Sequence, residues 1–116
     1  LAAHRAALCW PDRLGRPLTP LWRTADWVYL RFHEGAARPW PSYGEAALRS
    51  WVSRLGAPGP GDGAPPGGHD AYVYFNNDPG GAAVRDAARF AALARAAGWD
   101  VTRTPLPRDL AVAHRA

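Results

Sequence analysis

Residues 26–33 read DWVYLRFH, and this stretch decides the fold of the chain. Its β-branched and aromatic side chains favour a buried strand, along which side chains alternate between two faces. Val28, Leu30 and Phe32 therefore share one face. The opposite face, which becomes polar toward its end, carries Trp27, Tyr29, Arg31 and His33. This pattern predicts an α/β fold, a parallel β/α barrel of the TIM type, with apolar residues against outer helices and polar residues in the barrel mouth.

Two further apolar segments are predicted to be strands of the same sheet. Residues 6–10 form a short run that should end at Pro11 and Asp12, because proline has no amide to donate to a central ladder. Residues 71–76 alternate like the decisive stretch. Between the first two strands, the prolines of residues 14–24 predict an irregular connection with room for one helical turn.

The first predicted helix begins at a capping box. Ser42 and Glu45 have the spacing at which the serine side chain bonds the Glu45 amide and the glutamate returns the bond. Gly56 is predicted to end this helix as the residue after its last turn. Its apolar stripe recurs at helical spacing and consists of Leu48, Trp51, Val52 and Leu55.

The second predicted helix begins with Asp78 as N-cap and Pro79 at the first helical position. It is predicted to end at residue 97, because Gly98 favours a helix stop. The side chains predicted to face inward are Phe90, Leu93, Ala94 and Ala97.

Strands that alternate with helices through right-handed crossovers are parallel, so the carboxyl ends of all three strands should lie at one edge. Ligands bind at that edge in barrels and in open α/β sheets. The predicted site therefore combines Asp12, residues 31–34 and residues 76–78.

Three residues of this edge are predicted to be catalytic: Arg31, His33 and Asp12. A planar guanidinium at Arg31 suits a phosphate or carboxylate, which it can hold through two parallel hydrogen bonds. A structural ion pair with Asp12 or another acid is the alternative. His33 can transfer a proton near neutral pH, and a hydrogen-bonded structural histidine is the alternative.

Four further residues are predicted to bind substrate: Asn76, Asn77, Asp78 and Glu34. Glu34 can join His33 only if the strand has ended, because adjacent side chains of a strand point to opposite faces. Residues 80–81 are glycines whose amides suit a phosphate, and close packing is the alternative. No cofactor is predicted. A divalent metal on Asp12, His33 and Asp78 is the weaker alternative, since the spacing is not diagnostic.

The composition narrows the class of partner. All 14 basic residues are arginine, and the formal net charge is +4. Positive charge favours polyanions, but acids lie between the arginines, so a mixed surface is favoured over a nucleic-acid footprint. No apolar run approaches the roughly 18 residues that span a bilayer, and no signal peptide pattern is present, which predicts a cytoplasmic protein without a membrane partner. Cys9, the single cysteine, is expected to be a buried, inert thiol.

Residues 1–98 are expected to form part of one domain, followed by a tail at 99–116. The Gly- and Pro-rich residues 57–70 predict a flexible loop. Because the sequence starts at Leu1 and contains no methionine, it is expected to be a carboxy-terminal piece of a longer protein. Such a piece alone should fold poorly or associate, since its sheet edges are open. Its oligomeric state is not predicted.

Several motifs in order resemble the family called domain of unknown function 72. They are Trp10-Pro11-Asp12, Thr24-Ala25-Asp26-Trp27, Tyr29-Leu30-Arg31-Phe32-His33-Glu34-Gly35, Tyr43, Trp51 and Phe75-Asn76-Asn77-Asp78. In that family a strand ending in Arg-x-His-Gly precedes a tyrosine-led helix, and a strand ending in Phe-Asn-Asn-Asp precedes an alanine-rich helix. The resemblance extends to about Gly98. It implies a β/α barrel of roughly twice this length, of which the chain supplies strands six to eight.

The resemblance implies no particular activity, and Glu34 stands where many relatives have glycine, so the loop after the seventh strand should differ. Three functions are compatible with the residues. The first is an enzyme that binds a small polar or phosphorylated substrate, with Arg31 on its anion, His33 moving a proton and Asn76 orienting it. The second is a nucleic-acid processing or binding protein, whose affinity would fall steeply with salt. The third is a non-catalytic scaffold. The fold does not choose among isomerase, lyase and hydrolase.

Overall fold

The computed structural model describes residues 6–22, 25, 27–56 and 70–104 of the chain. The elements are β1 (Cys9–Arg13), β2 (Arg16–Pro17), β3 (Trp27–Phe32), α1 (Glu45–Gly56), β4 (Asp70–Phe75), a 3₁₀ turn (Pro79–Gly81) and α2 (Ala82–Ala96). The predicted flexible loop lies outside the described residues except for Asp70, which begins β4. Neither helix of the described ranges is long and apolar enough to cross a membrane.

The strands form one mixed sheet in the order β2-β1-β3-β4. The three predicted strands are parallel to one another, whereas β2 runs antiparallel to β1. Both helices pack on the same face of the sheet, where the core lies. The α/β class is therefore confirmed, with a mixed sheet in place of the wholly parallel one that was predicted.

The two faces of β3 are those that its alternation predicts. Val28, Leu30 and Phe32 are buried against the helices, whereas Arg31 on the other face is exposed. The Phe32 ring stacks on Phe75 of β4, with ring centroids 4.5 Å apart. Burial of each large apolar side chain contributes roughly 1.5–3 kcal/mol, so this face of β3 anchors the sheet to the helices.

The prediction that the first strand ends at Pro11 is wrong, because β1 runs through Pro11 and Asp12 to Arg13. The Asp12 carbonyl accepts from the His33 amide at 3.1 Å, so Asp12 is hydrogen bonded toward β3. Backbone groups of consecutive strand residues face opposite neighbours, and the Pro11 carbonyl accepts from the Leu18 amide on the outer side at 2.9 Å. The amide that proline lacks would point to this outer side, where the ladder with β3 does not need it.

The predicted irregular connection after β1 is wrong for its first residues, which form a hairpin, whereas residues 18–22 beyond it belong to no helix or strand, as predicted. Leu14 and Gly15 have φ values of 57° and 83°, and the flanking residues Arg13 and Arg16 are paired. Two successive positive φ angles define a type I′ turn, whose twist matches that of the strands. The Asp12 side chain supports the turn by accepting a bond from the Gly15 amide at 3.1 Å.

The apolar stripe of α1 is confirmed, and the predicted capping box is not. All four stripe residues are buried: Leu48, Trp51, Val52 and Leu55. The helix begins at Glu45, and the Gly44 carbonyl accepts from the Leu48 amide at 3.1 Å. Ser42 belongs to the preceding loop, where its amide donates to Trp40 and its carbonyl accepts from Ala37. These loop bonds hold Ser42 away from a capping position. Gly56 is the last helical residue rather than the residue after it.

Asp78 was predicted to cap the second helix, and it does not. Its backbone is already helical, with φ −69° and ψ −32°, and its side chain makes no cap hydrogen bond. An N-cap side chain reaches the next amides from an extended backbone, which Asp78 lacks. Gly80 and Gly81 then adopt positive φ values of 69° and 73°, which interrupt the helix and delay α2 to Ala82.

The end of α2 is close to the prediction. The Gly98 amide donates to Arg95 and the Trp99 amide donates to Ala94, each at 3.0 Å, and Gly98 has a φ of 97°. These two bonds and the left-handed glycine form a Schellman motif, which confirms the predicted stop. Phe90 and Ala94 are buried as predicted, but Ala97 is exposed because it lies beyond the last helical turn.

The segment after α2 was predicted to be a tail, and its first residues belong to the folded unit. Trp99 and Val101 pack against the core, because the Schellman turn directs the chain back toward the sheet. The prediction for residues 105–116 lies outside the described residues.

Candidate functional site

The carboxyl ends of the three parallel strands meet at one edge of the sheet, as predicted. The His33 amide, directly after β3, donates to the Asp12 carbonyl of β1 at 3.1 Å. The Asn76 amide, directly after β4, donates to the Phe32 carbonyl at 2.9 Å. The backbone therefore places the side chains of His33 and Asn76 beside each other.

The side-chain amide of Asn76 lies between Arg31 and His33. One of its two polar atoms is 3.4 Å from His33 Nδ1. With the amide oxygen at this position, the oxygen accepts from Arg31 Nη2 at 3.1 Å, and the amide nitrogen donates to the Phe32 carbonyl. We assign this orientation because it pairs each donor with an acceptor. Arg31, His33 and Asn76 are all exposed, and we call them the rim cluster.

Local sequence explains why the rim cluster forms. Arg31 and His33 are two residues apart, so they project from the same face of β3. The parallel register pairs Phe32 with Phe75, which brings Asn76 level with His33. The cluster therefore combines a cation, an imidazole and an amide on one polar edge. Such a set can hold an anion and can exchange a proton with it.

Asp12, the third predicted catalytic residue, lies on the other side of the sheet. It pairs with Phe32 in the register and is fully buried on the helix face. Its carboxylate accepts from Trp51 Nε1 at 2.6 Å and from the Gly15 amide. Because Asp12 follows Pro11, which pairs with Arg31, its side chain points away from Arg31. The ion pair considered for these two residues is therefore not formed.

Tyr43 completes the buried side of this edge. Its ring packs against Phe32 with centroids 4.7 Å apart, and the residue is buried. Burial and the neighbouring Asp12 carboxylate raise the pKa of Tyr43 above its usual range. The phenol therefore stays neutral beside the carboxylate, as an apolar site requires.

Asn77 was predicted to bind substrate, but its side chain is buried in a structural network. Asn77 Nδ2 donates to the Pro41 carbonyl at 2.9 Å and to Asp86 Oδ2 at 2.8 Å. The same Asp86 oxygen accepts from the Tyr43 amide at 2.8 Å. These bonds tie the loop after β3 to α2, so Asn77 supports the edge instead of facing a ligand.

Asp86 is the residue that sequence reasoning missed. It is fully buried, and burial raises the pKa of its carboxyl. A signal was present, because Asp86 occupies the apolar stripe of α2 between Ala83 and Phe90, where an acid needs hydrogen-bond partners. One partner, Tyr43, is distant in sequence, and the other, Asn77, lies outside α2, so the helical pattern alone could not name them.

Glu34 also has a partner elsewhere. Its Oε1 lies 2.6 Å from Arg13 Nε, and the hydrogen bond from Arg13 lowers the pKa of Glu34. Asp78 is exposed at the same edge. Glu34 is thus engaged by the β1–β2 hairpin, whereas Asp78 stays a predicted ligand-binding residue.

The glycines at 80–81, predicted as a phosphate site, are engaged by the protein itself. The Gly81 amide donates to the Asp78 carbonyl at 2.8 Å, and Arg85 Nη1 donates to the Gly80 carbonyl at 2.8 Å. A Cβ at Gly80 would collide with the Trp40 ring. The geometry therefore favours the close-packing alternative for these glycines.

Among the described residues, no group of three or more His, Cys, Asp or Glu side chains could hold a metal ion. Asp12, His33 and Asp78 accordingly do not converge on a common point.

Cys9 is half-buried, whereas the sequence predicted a buried thiol. Its partial burial is the main cause that raises the pKa of the thiol. It shares the sheet face of Arg31, because it pairs with Tyr29 in the register.

The sheet face opposite the helices is rich in aromatic side chains below the rim cluster. Trp27 and Tyr29 of β3 lie beside Tyr72 and Tyr74 of β4. With Asp70, they line a shallow cleft of about 500 Å³. Tyr72 and Tyr74 are 51% and 55% exposed, which is high for large aromatic residues in a sheet. Tyr74 of this face pairs with Arg31 of the rim cluster in the register.

The fold and this edge define an α/β protein with a polar cluster where parallel strands end. The family model described as "Protein of unknown function DUF72" matches residues 1–110, and the chain belongs to this family. The resemblance that the motifs indicated is thereby confirmed. No curated protein and no solved structure shows significant similarity to the chain.

Proposed function

We propose that the rim cluster binds a small anionic ligand, such as a phosphorylated or carboxylated metabolite, at the mouth of a β/α barrel. Arg31 holds the anion, Asn76 orients it, and His33 donates or accepts a proton. The observation that carries this proposal is the Asn76 amide, which contacts Arg31 and lies beside His33 at the shared edge of three parallel strands.

The charge balance of the cluster supports an anion. Arg31 is exposed, and the ion pairs among described residues join other partners: Arg13 with Glu34, Arg49 with Glu45, and Arg89 with Asp86. Within the described part of the chain, the Arg31 guanidinium bonds the neutral Asn76 amide, and its other donors suit a carboxylate or phosphate. Asp12 follows Pro11, the residue that pairs with Arg31 in the register. Its carboxylate accepts from Trp51 on the other face of the sheet.

The barrel part of the proposal is supported by the order and the faces of the strands. β1, β3 and β4 are parallel and adjacent, and α1 connects β3 with β4. Helices cover one face, whereas the other face presents large aromatic side chains. In a barrel the uncovered face is the interior, filled by side chains from all strands. The aromatic face would then lie beneath the mouth that contains the rim cluster.

The anion site is tested by titrating the intact gene product with inorganic phosphate and following binding by calorimetry or NMR. We expect Arg31→Gln to weaken phosphate binding by about tenfold or more, because charge-assisted hydrogen bonds contribute about 1.5–3 kcal/mol. Asn76→Ala should weaken it less, since it removes an orienting contact and no charge.

The matched control is Arg49→Gln, which removes an exposed arginine on α1 that pairs with Glu45. It should leave phosphate binding unchanged. Equal losses of phosphate affinity in the Arg31 and Arg49 variants would mean that phosphate binding depends only on the net charge of the protein. The proposed site would then be wrong.

A further inference from the structure

The aromatic rings nearest to the rim cluster are positioned to contact its ligand. In the parallel register, Arg31 is directly paired with Tyr74, and Tyr29 is paired with Tyr72. Paired residues of adjacent strands project from the same face. Tyr74 is therefore the next side chain below Asn76 on β4 and the lateral neighbour of Arg31.

Tyr74 and Tyr29 form a preformed pair. Their ring centroids are 5.3 Å apart with planes tilted by 58°, an arrangement typical of favourable aromatic contacts. Tyr74 is 55% exposed, and as the last aromatic residue of this face before Asn76 it lies at the mouth end of the sheet, next to the rim cluster. Below it, Trp27 and Tyr72 form a second pair with centroids 5.7 Å apart, which extends the apolar surface along the strands.

Polarity changes steeply along this face. Moving from Tyr74 to Asn76 advances two residues, or about 7 Å, from an aromatic ring to a polar amide. Arg31 supplies the positive charge at this boundary. A ligand that contacts both the Tyr74 ring and the polar rim cluster needs a negatively charged group at one end and a flat, apolar ring directly attached to it.

We propose that the ligand of the rim cluster is an aromatic anion, such as an aryl phosphate or aryl carboxylate. Its ring packs on Tyr74 beside Tyr29, and its anionic group binds Arg31 and Asn76. This inference rests on the proposed anion site and specifies the class of molecule that occupies it. The pairing of Arg31 with Tyr74 in the register and the contact between the Tyr29 and Tyr74 rings carry it.

The test compares phenyl phosphate with methyl phosphate, which has the same anionic group and no ring. Stacking on an aromatic side chain contributes about 1–3 kcal/mol, so phenyl phosphate should bind the intact gene product about tenfold more tightly. Tyr74→Ala should reduce phenyl phosphate affinity by about this factor and leave methyl phosphate affinity unchanged. Tyr74→Phe, which keeps the ring, should retain the preference.

Failure of the inference differs from failure of the anion site. If both esters bind equally, lose affinity in Arg31→Gln and ignore Tyr74→Ala, the site binds anions and the aromatic preference is wrong. If neither ester binds at millimolar concentration, both the anion site and the inference are wrong. If phenyl phosphate alone binds, insensitively to Arg31→Gln, the ring is recognised without the rim cluster and the inference is wrong.

Discussion

The Asp86 carboxyl is subject to opposing effects of its surroundings on its ionisation. It is buried between the loop after β3 and α2, with hydrogen bonds from Tyr43 and Asn77 to a single oxygen. Desolvation disfavours its ionised form, and this effect exceeds the opposing effect of the two donors, so its pKa is raised. Glu34 is the opposite case, because the hydrogen bond from Arg13 lowers the pKa of Glu34.

These two carboxyls predict opposite dependences of stability on pH. The folded protein holds the Asp86 proton more tightly than the unfolded chain does. The stability that Asp86 contributes is therefore full below its usual pKa of 3.8 and falls as pH rises through the raised value. We therefore compare the unfolding free energy of the wild type with that of Asp86→Asn, by denaturant titrations at several pH values. The difference, wild type minus variant, should decrease as pH rises from 3.8 through the raised pKa of Asp86.

Glu34→Gln provides the comparison of opposite sign. Because the pKa of Glu34 is lowered, its contribution is full above the usual value of 4.5 and is lost as pH falls through the lower folded value. The wild-type minus variant difference should therefore increase with pH. An Asp86 difference that also increases with pH would contradict the buried position of its carboxyl.

The loop between β3 and α1, residues 33–44, is the element that shapes the rim edge. Its backbone folds back on itself, because the Gly35 amide donates to the Pro41 carbonyl at 2.8 Å. Asn77 and Asp86 then fix Pro41 and Tyr43 from below. The loop therefore depends on a close backbone approach at Gly35, where a Cβ would collide with the Ser42 carbonyl.

Gly35→Ala should destabilise the protein by about 2 kcal/mol or more, since the colliding atoms belong to the backbone and cannot rotate away. The same variant should weaken phosphate binding, because the loop adjoins His33. Gly56→Ala is the matched control: it lies at the end of α1, its Cβ meets nothing within 4 Å, and alanine favours helix. Thermal or denaturant unfolding of both variants measures the difference. Equal losses of stability in the two variants would contradict the close backbone approach at Gly35.

At the scale of the whole molecule, the sheet is covered on one face and ends at β4. In the described ranges, β4 pairs with β3 and with no other strand. The Asn76 amide donates toward β3, so alternation directs the amides of Val73 and Phe75 away from it. An edge strand of this length with an aromatic face is an open template for another strand, unless something pairs with it.

The proposed barrel predicts that a further strand pairs with β4 in the intact gene product. The amides of Val73 and Phe75 should then exchange with solvent slowly, at rates close to that of the Tyr74 amide, which faces β3 in either case. Hydrogen exchange resolved by residue measures this. If Val73 and Phe75 exchange much faster than Tyr74, β4 is a free edge and the closed barrel is wrong.

Local pattern alone determined much of this protein. The alternation of β3, the stripe of α1 and the stop at Gly98 could be predicted, because each depends on neighbours within a few residues. The meeting of strand ends at one edge followed from parallel topology, which placed His33 beside Asn76. The motifs also indicated the family correctly.

Other features were decided by tertiary structure alone, because each depends on which residues lie close together in space. Pro11 stays within β1 because the amide that it lacks would point to the outer side of the strand. The sequence does not show to which side the backbone of a given strand residue points. Asp12 faces Trp51 rather than Arg31 because the register assigns it to the helix face. Asp86 is tolerated in a core because Asn77 and the loop after β3 supply its donors, and only folding brings these together.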